Sequence, residues 1–419
     1  MTDANYRDVL WAFSLDSNAD TRRAIVRVFS REQDIYETQS GPFEGFPVDL
    51  PLRQRSGSSD APPRSTQASP VPGDLWAHGQ RLFAAMPPHA TVPLRTATPD
   101  QPVRLKIASN SAAIDDLVWE WLNDGQDPCL ALRPNIRLSR VVPIHLAVPP
   151  LTVAPPVRVL LVLTNPKDER LLDPWREIAA VRSGLSSPFY SVEQLAEPTW
   201  DALVEALRRE PWHIVHYIGH AGVDRGQGNI ILHDDSERTH WIGGSDLGAV
   251  LPMTVRLLCL STCYTAPNYQ IAGLPRLAHT IASGRLPTVI ANQYPVGEGG
   301  VRGFWQAFYA GLLEYRGNMN EAFHDAQAAC ASTGGPDWGS FSMVIRDQSG
   351  QALRFDATSS TVAGRNDEEI QAQFLTQFAN DLSTRVLTYG AAAPSSVVEQ
   401  FDEVASTAMS MTENLRRTE

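Results

Sequence analysis

One imidazole and one thiol in this chain stand where chemistry tends to collect. His220 follows the run HIVHYIG, and Cys263 closes the run VRLLCLST. Both runs are short, apolar and rich in β-branched residues, and both stop abruptly at small residues, as buried parallel strands do. In an open α/β sheet, ligands and catalysis gather beyond the carboxyl ends of the strands. The 43 positions from His220 to Cys263 leave room for a hairpin, a helix and a return strand, so the two strands can be neighbours. An imidazole beside a thiol can take its proton, and the thiolate is the nucleophile. The carbonyl it attacks becomes an oxyanion that needs backbone N–H donors, and the amides of Ala221 and Cys263 are the candidates. The small residues around the pair (Gly219, Ala221, Gly222, Ser261 and Thr262) leave space for a substrate chain.

Spacing alone leaves other readings open. A buried cysteine at a strand end is commonly inert packing, and a single histidine is commonly a satisfied core residue. A module binding a small ligand at the strand ends is a third reading. The other candidates are weaker. His213 and His216 lie three apart on one strand, hence on opposite faces, and cannot chelate one metal. His233, His240, His279 and His324 have no partner pattern, and Cys259 reads as core. Cys259 and Cys263 are four apart rather than in a CxxC pair, and no second pair completes a zinc site. No phosphate loop occurs: GVDRGQGN lacks both the GxGxxG spacing and a following helix. A GxSxG elbow is missing too.

Charge and composition narrow the classes further. A net charge of −12 opposes a nucleic-acid surface or a polybasic membrane anchor. No apolar run approaches the roughly 20 residues of a membrane helix. The first thirty residues carry early acids and no apolar signal core, so no export signal is read. Four scattered cysteines do not make a disulfide framework, and a reduced, cytoplasmic protein is expected.

These groups need elements to position them. Residues 1–51 mix apolar and charged residues as a small strand-and-helix unit would, and 52–73 is a Ser-, Pro- and Gly-rich linker. Residues 74–156 read as a smaller α+β part. It opens with an amphipathic helix that turns Leu75, Leu82 and Phe83 inward, continues with the alternating strand VRLKIAS, and ends in a hairpin formed by CLALRPN and IRLSRVVPI. From 157 to 347 βα repeats signal a mostly parallel sheet with helical crossovers on both faces. Thr199 caps one of these helices, GNIILHDD and ERTHWIG form a hairpin outside the main sheet, and Ser245 or Asp246 caps a short helix. Residues 348–419 carry two amphipathic helices, with Phe374, Phe378 and Leu382 on the first and Val397, Phe401 and Val404 on the second.

The stretches HIVHYIGHAG and VRLLCLSTCYTA resemble the His and Cys motifs of the CHAT family, caspase-like peptidases of the separase and caspase group. The downstream segment from LPRLAHTIAS through NEAFHDAQAA and the upstream IDDLVWEWLNDG resemble the same family, so the likeness spans about 75–345. It implies a caspase-like α/β fold in which His220 is the general base and Cys263 the nucleophile of peptide-bond hydrolysis, without metal or organic cofactor. It also implies a protein substrate, an activating partner or proteolytic activation, and, as for many members, a role in prokaryotic defence. The alternative within the family is an inactive caspase-like scaffold. Two departures stand out. The commoner His-Gly pair is His220-Ala221, which keeps the amide. Arginine-specific relatives place an acid two residues before the nucleophile, whereas this chain has Ser261, which leaves cleavage after a basic residue unsupported. Asp234, Asp235 and Glu298 read as solvated charges, and the substrate pocket stays unassigned.

Overall fold

Hydrophobic strands that end at small residues, separated by amphipathic helices, dictate a sheet with two covered faces, and the chain folds that way. The computed structural model describes residues 6–16, 23–30, 36–43, 72–109, 111–142, 148–169, 174–224, 227–263, 274–294, 296–346 and 351–356. The chain opens with β1 (Arg7–Asp16), β2 (Arg23–Ser30) and β3 (Tyr36–Phe43). Next come α1 (Pro72–Ala84), α2 (Pro88–Arg95), β4 (Val103–Ser109), α3 (Ala112–Asp115), β5 (Ile136–Val141) and β6 (Leu151–Val153). The βα succession runs through β7 (Val157–Leu163), α4 (Trp175–Gly184), β8 (Tyr190–Ala196), α5 (Trp200–Arg209) and β9 (Ile214–Asp224). After β10 (Gln227–His233), β11 (Thr239–Gly243) and α6 (Gly244–Val250) come β12 (Leu257–Cys263), α7 (Leu274–Ser283) and β13 (Thr288–Asn292). The described chain closes with α8 (Glu298–Glu314), α9 (Met319–Ser332), β14 (Phe341–Ile345) and β15 (Leu353–Phe355).

Thirteen strands form one sheet in the order β11-β10-β9-β12-β13-β14-β5-β4-β1-β2-β3, with β7 on β9 and β8 on β7. The pairs β8/β7, β7/β9, β9/β12, β12/β13, β14/β5, β5/β4 and β4/β1 are parallel, so the sheet is mostly parallel. Side chains alternate between two apolar layers, as the period of two requires. Ile214 and Ile218 of β9, with Leu257 and Cys259 of β12, join Ile178 and Val181 of α4 and Phe304 and Phe308 of α8. Val215 and Tyr217, with Leu258 and Leu260, join Leu203 and Leu207 of α5, Leu247 of α6 and Leu277 and Ile281 of α7. Helices thus cover both faces, and the middle strands are closed to water on either side.

Local chemistry sets the helix ends. Thr199 caps α5 as expected, its Oγ1 accepting from the Ala202 amide at 3.3 Å, a bond of a kind that stabilises by about 1 kcal/mol. In contrast, α6 has neither Ser245 nor Asp246 at its cap. Strand β11 runs straight into it, Gly243 occupies the cap, and no side-chain bond closes the end.

Two further expectations are corrected. CLALRPN makes no hairpin with β5: Leu130–Leu132 is a 3-10 turn whose Leu130 and Ala131 are buried, and β5 pairs in parallel with β4. The apolar residues of that run serve packing, while Pro134 has no N–H to give a ladder. The β10–β11 hairpin is not outside the main sheet. Its β10 pairs antiparallel with the end of β9, Ile230 opposite Ala221, and its β11 forms the sheet edge. The described part of residues 1–48 is all strand, with β1 beside β4 in parallel and Val9, Trp11 and Phe13 buried. VRLKIAS alternates in residue type, yet its polar side is closed as well, because Asp8 of β1 holds Arg104 at 2.7 Å and Lys106 at 3.2 Å. The two amphipathic helices read in 348–419 and most of the 52–73 linker lie outside the described residues.

Burial of imidazoles makes the fold acid-sensitive. Burial lowers the pKa of His78, His213 and His324 from 6.5 to about 4 and that of His216 to about 3. The folded chain therefore refuses protons that the unfolded chain takes, and stability present above pH 6.5 is lost as pH falls toward 4. Neither ring nitrogen of His78 has a hydrogen-bond partner among the described residues. Between pH 7 and pH 4, His78→Leu is expected to lose roughly 2–4 kcal/mol less stability than the parent, measured by denaturant titration. Identical losses would contradict this.

Candidate active site

His220 and Cys263 come together through strand register. β9 and β12 are adjacent parallel strands in the interior of the sheet, and Cys263 is the in-register partner of His220 at the last paired position. Cys263 is the last residue of β12, whereas β9 runs on past His220 to Asp224 to pair with β10, so the expectation that His220 follows the end of its strand is corrected. Ala221 is the next residue of β9, buried and opposite Ile230 of β10.

A hydroxyl cluster pins the end of β9. Tyr217 Oη lies 2.6 Å from the His220 carbonyl oxygen and 2.7 Å from that of Ile231. Thr164, just past β7, donates to the Ile231 carbonyl at 2.8 Å and sits 3.1 Å from the same phenol. A Cβ on Gly219 would lie 2.4 Å from Thr164 Oγ1 and 2.6 Å from Tyr217 Oη. The glycine before His220 is thus small to admit this cluster, and the expectation that it makes room for substrate is corrected. Ser261 and Thr262 are also buried, packed by Trp305 and Asn292 rather than facing open space.

The His220 imidazole is 1% exposed, and burial lowers its pKa to about 4, so it is neutral at pH 7 and able to accept a proton. Asn165, past the end of β7, places Oδ1 3.5 Å from His220 Nε2. The Asn165 backbone N–H donates to Glu197 Oε2 at 2.9 Å and to His233 Nε2 at 3.2 Å, and His233 also contacts Glu197, so that turn is itself held.

Asn292, the last residue of β13, clamps the residue before Cys263. Its Oδ1 accepts from the Thr262 amide at 2.9 Å and from Thr262 Oγ1 at 3.1 Å, and its Nδ2 donates to the Thr262 carbonyl at 2.7 Å. A trans peptide holds each N–H antiparallel to the preceding C=O. With the Thr262 carbonyl turned toward β13, the Cys263 N–H faces the other neighbour, β9. Next to the clamp, Gln293 Nε2 donates to Glu120 Oε2 at 2.6 Å, and Arg140 joins both at 2.8 Å and 2.6 Å. A buried network in the upstream part of the chain thereby fixes the turn that carries Asn292.

On the α4 and α8 side, His216 Nδ1 is 2.6 Å from Tyr309 Oη, and Trp305 Nε1 donates to Ser261 Oγ at 3.2 Å. Glu177 of α4 reaches the same spot and is buried. Sequence reasoning missed Asn165, Asn292 and Glu177. Signals existed for two of the three: a polar residue, Asn292, closing the apolar run LPTVIAN, and an acid, Glu177, four positions before Val181 on the apolar stripe of α4. Asp234 Oδ1 accepts from the amides of Ser236 and Arg238 in the β10–β11 turn, and Asp235 is exposed. The remaining thiols, Cys129, Cys259 and Cys330, are buried, and burial pushes each up to about 12. Among the described residues, no group of three or more His, Cys, Asp or Glu could hold a metal ion, and no helix is long and apolar enough to cross a membrane.

A parallel sheet covered on both faces, with an imidazole and a thiol-bearing residue in register at its carboxyl edge, defines a class before it defines a protein. The CHAT domain family model matches residues 80–384, and the chain belongs to that family. Among solved structures, the Saccharomyces cerevisiae separase–securin complex is similar at 14% identity and a TM-score of 0.37, covering 61% of this chain and 16% of that one. The Arg-specific cysteine proteinase gingipain R is similar at 8% identity and a TM-score of 0.39, covering 67% of this chain and 68% of that one. No curated protein matches.

The clamp has a direct test. Asn292→Leu leaves the Thr262 amide and carbonyl without partners in a buried place, a cost of about 1–3 kcal/mol. Amide exchange at Thr262 is expected to quicken by roughly tenfold or more, while exchange in β7 stays unchanged. Equal exchange at Thr262 would show that Asn292 does not hold it.

Proposed function

We propose that this chain is a cysteine endopeptidase in which His220 is the general base and Cys263 the nucleophile. The observation that carries the reading is the shared register of the two residues at the last paired position of two adjacent parallel strands. Membership of the CHAT domain family supports it.

The neutral imidazole takes the thiol proton, and the thiolate adds to the substrate carbonyl carbon. Negative charge moves to the carbonyl oxygen, where the amides of Ala221 and Cys263 are the proposed donors. The tetrahedral species collapses, the C–N bond breaks, and the imidazolium returns its proton to the leaving amine. Water, deprotonated by the same imidazole, then hydrolyses the thioester. Asn165 Oδ1 beside Nε2 favours the tautomer with its proton there, leaving Nδ1 as the base.

The near-complete burial of His220 fits an enzyme that meets its substrate only after a change of conformation. This supports selective cleavage of a protein partner under the control of a second protein or of proteolytic activation. A place in prokaryotic defence belongs to the same reading by family context.

Two measurements test the dyad. A peptide library incubated with the protein, alone and with the products of neighbouring genes added, is expected to give discrete cuts, abolished in Cys263→Ala and lowered roughly 10²–10⁴-fold in His220→Ala. Iodoacetamide at pH 7 is expected to label Cys263 alone, since the other three thiols are held protonated by burial. Undiminished cleavage in Cys263→Ala would overturn the assignment. No cleavage together with an unreactive Cys263 would favour the inactive scaffold.

A further inference from the structure

Glu197 follows β8 in a backbone conformation that its residue type resists. Its φ is 51°, in the left-handed region where glycine or asparagine is ordinarily found. The turn brings the Glu197 amide to the Leu163 carbonyl at 2.8 Å. A glycine would make the same turn without strain, so what the position gains from glutamate lies in the side chain. Stability is not the gain. The side chain is 48% exposed where it meets His233, and ion pairs so open to water contribute little.

What the carboxylate holds is the backbone of Asn165, whose side chain faces the proposed base. Glu197 Oε2 accepts from the Asn165 N–H at 2.9 Å. His233 Nε2, which also meets that carboxylate, lies 3.2 Å from the same nitrogen. His233 is buried and fixed in turn, its own amide donating to the carbonyl of Pro198, the residue after Glu197. The flanking amides are tied as well, Thr164 to the Ile218 carbonyl and Lys167 to the Glu237 carbonyl, both at 3.0 Å. With its amide so placed, Asn165 sends Oδ1 to within 3.5 Å of His220 Nε2. That separation is at the outer limit of a hydrogen bond, so a small turn of the Asn165 backbone breaks it.

We propose that Glu197, backed by His233, is a positioning residue for the peptidase reaction. Through the Asn165 amide it keeps the Asn165 side chain on Nε2 of His220 and reserves Nδ1 for the thiol proton. The proposal rests on the cysteine peptidase reading and adds to it a carboxylate that acts at one remove from the imidazole.

A second acid supplies the control. Glu237 has a φ of 60° and meets the same loop, but its carboxylate pairs with the exposed Lys167 ammonium instead of a backbone amide. Nitrogen-15 shifts of the histidine rings at pH 7 read the tautomer and need no turnover, and the His220 signal is assigned by its loss in His220→Gln. In the wild-type chain the His220 proton is expected on Nε2. In Glu197→Gly both tautomers are expected together, and kcat on a library peptide falls about tenfold with KM unchanged. The same variant is expected to melt no lower than the wild type, because glycine relieves the strained turn. Glu197→Gln, which keeps an oxygen for the Asn165 amide, retains the single tautomer and most of kcat, and Glu237→Gly retains both. A wild-type proton on Nδ1, a tautomer unmoved in Glu197→Gly, or the same change in Glu237→Gly would overturn the proposal. If the tautomers behave as stated while no peptide is cut and Cys263 is inert to iodoacetamide, the peptidase reading falls and the hold on the imidazole stands.

Discussion

Parallel pairing of β9 with β12 is the constraint on which everything else in this molecule depends. Seven consecutive register pairs run from Ile214 opposite Leu257 to His220 opposite Cys263. Because parallel strands need a crossover, the hairpin and α6 that join them are obligatory lengths of chain rather than decoration. A slip of one residue would send His220 to the α5, α6 and α7 side and break the site. Burial of both faces is what forbids that slip, since Val215, Tyr217, Leu258 and Leu260 would then leave their apolar layer.

Polar groups around the strand ends convert register into orientation. Tyr217 and Thr164 hold the carbonyl side of β9, and the Asn292 amide holds both backbone groups of Thr262 on β12. Buried hydrogen bonds of this kind contribute modestly to stability when made and cost more when broken. They are suited to fixing a geometry that apolar packing alone would leave loose. The Glu120–Arg140–Gln293 network extends the same control into the upstream part of the chain, whose β5 is joined to β14 in the one sheet. The site therefore draws on residues more than 150 positions apart in sequence.

Much of this was legible in the sequence where the signal was local. The run VRLLCLST marked β12 up to its end, Thr199 marked a helix start, and Leu75, Leu82 and Phe83 marked a buried helix face, whereas the end of HIVHYIG did not mark the end of β9, which runs on to Asp224. What escaped depended on partners far along the chain. The edge pairing of β10 with β9 has no trace in either run, and the apolar residues of CLALRPN look the same whether they pair in a ladder or pack in a turn. Asn165 was invisible for the same reason, and Asn292 showed only as a polar residue closing LPTVIAN, because an asparagine shows no sign of which backbone it will hold. Glu177 left a visible mark, an acid on an apolar stripe, but only the fold brings it to Ser261.

The central claim is that Cys263 and His220 act on one substrate carbonyl, and a crystal structure of the covalent adduct with a peptidyl ketone tests it most directly. The account predicts a thioether on Cys263 Sγ, the His220 ring within hydrogen-bond distance of the reacting centre, about 3 Å, and the inhibitor oxygen facing the amides of Ala221 and Cys263. An adduct on another thiol, or one on Cys263 with His220 still enclosed and turned away, would contradict it.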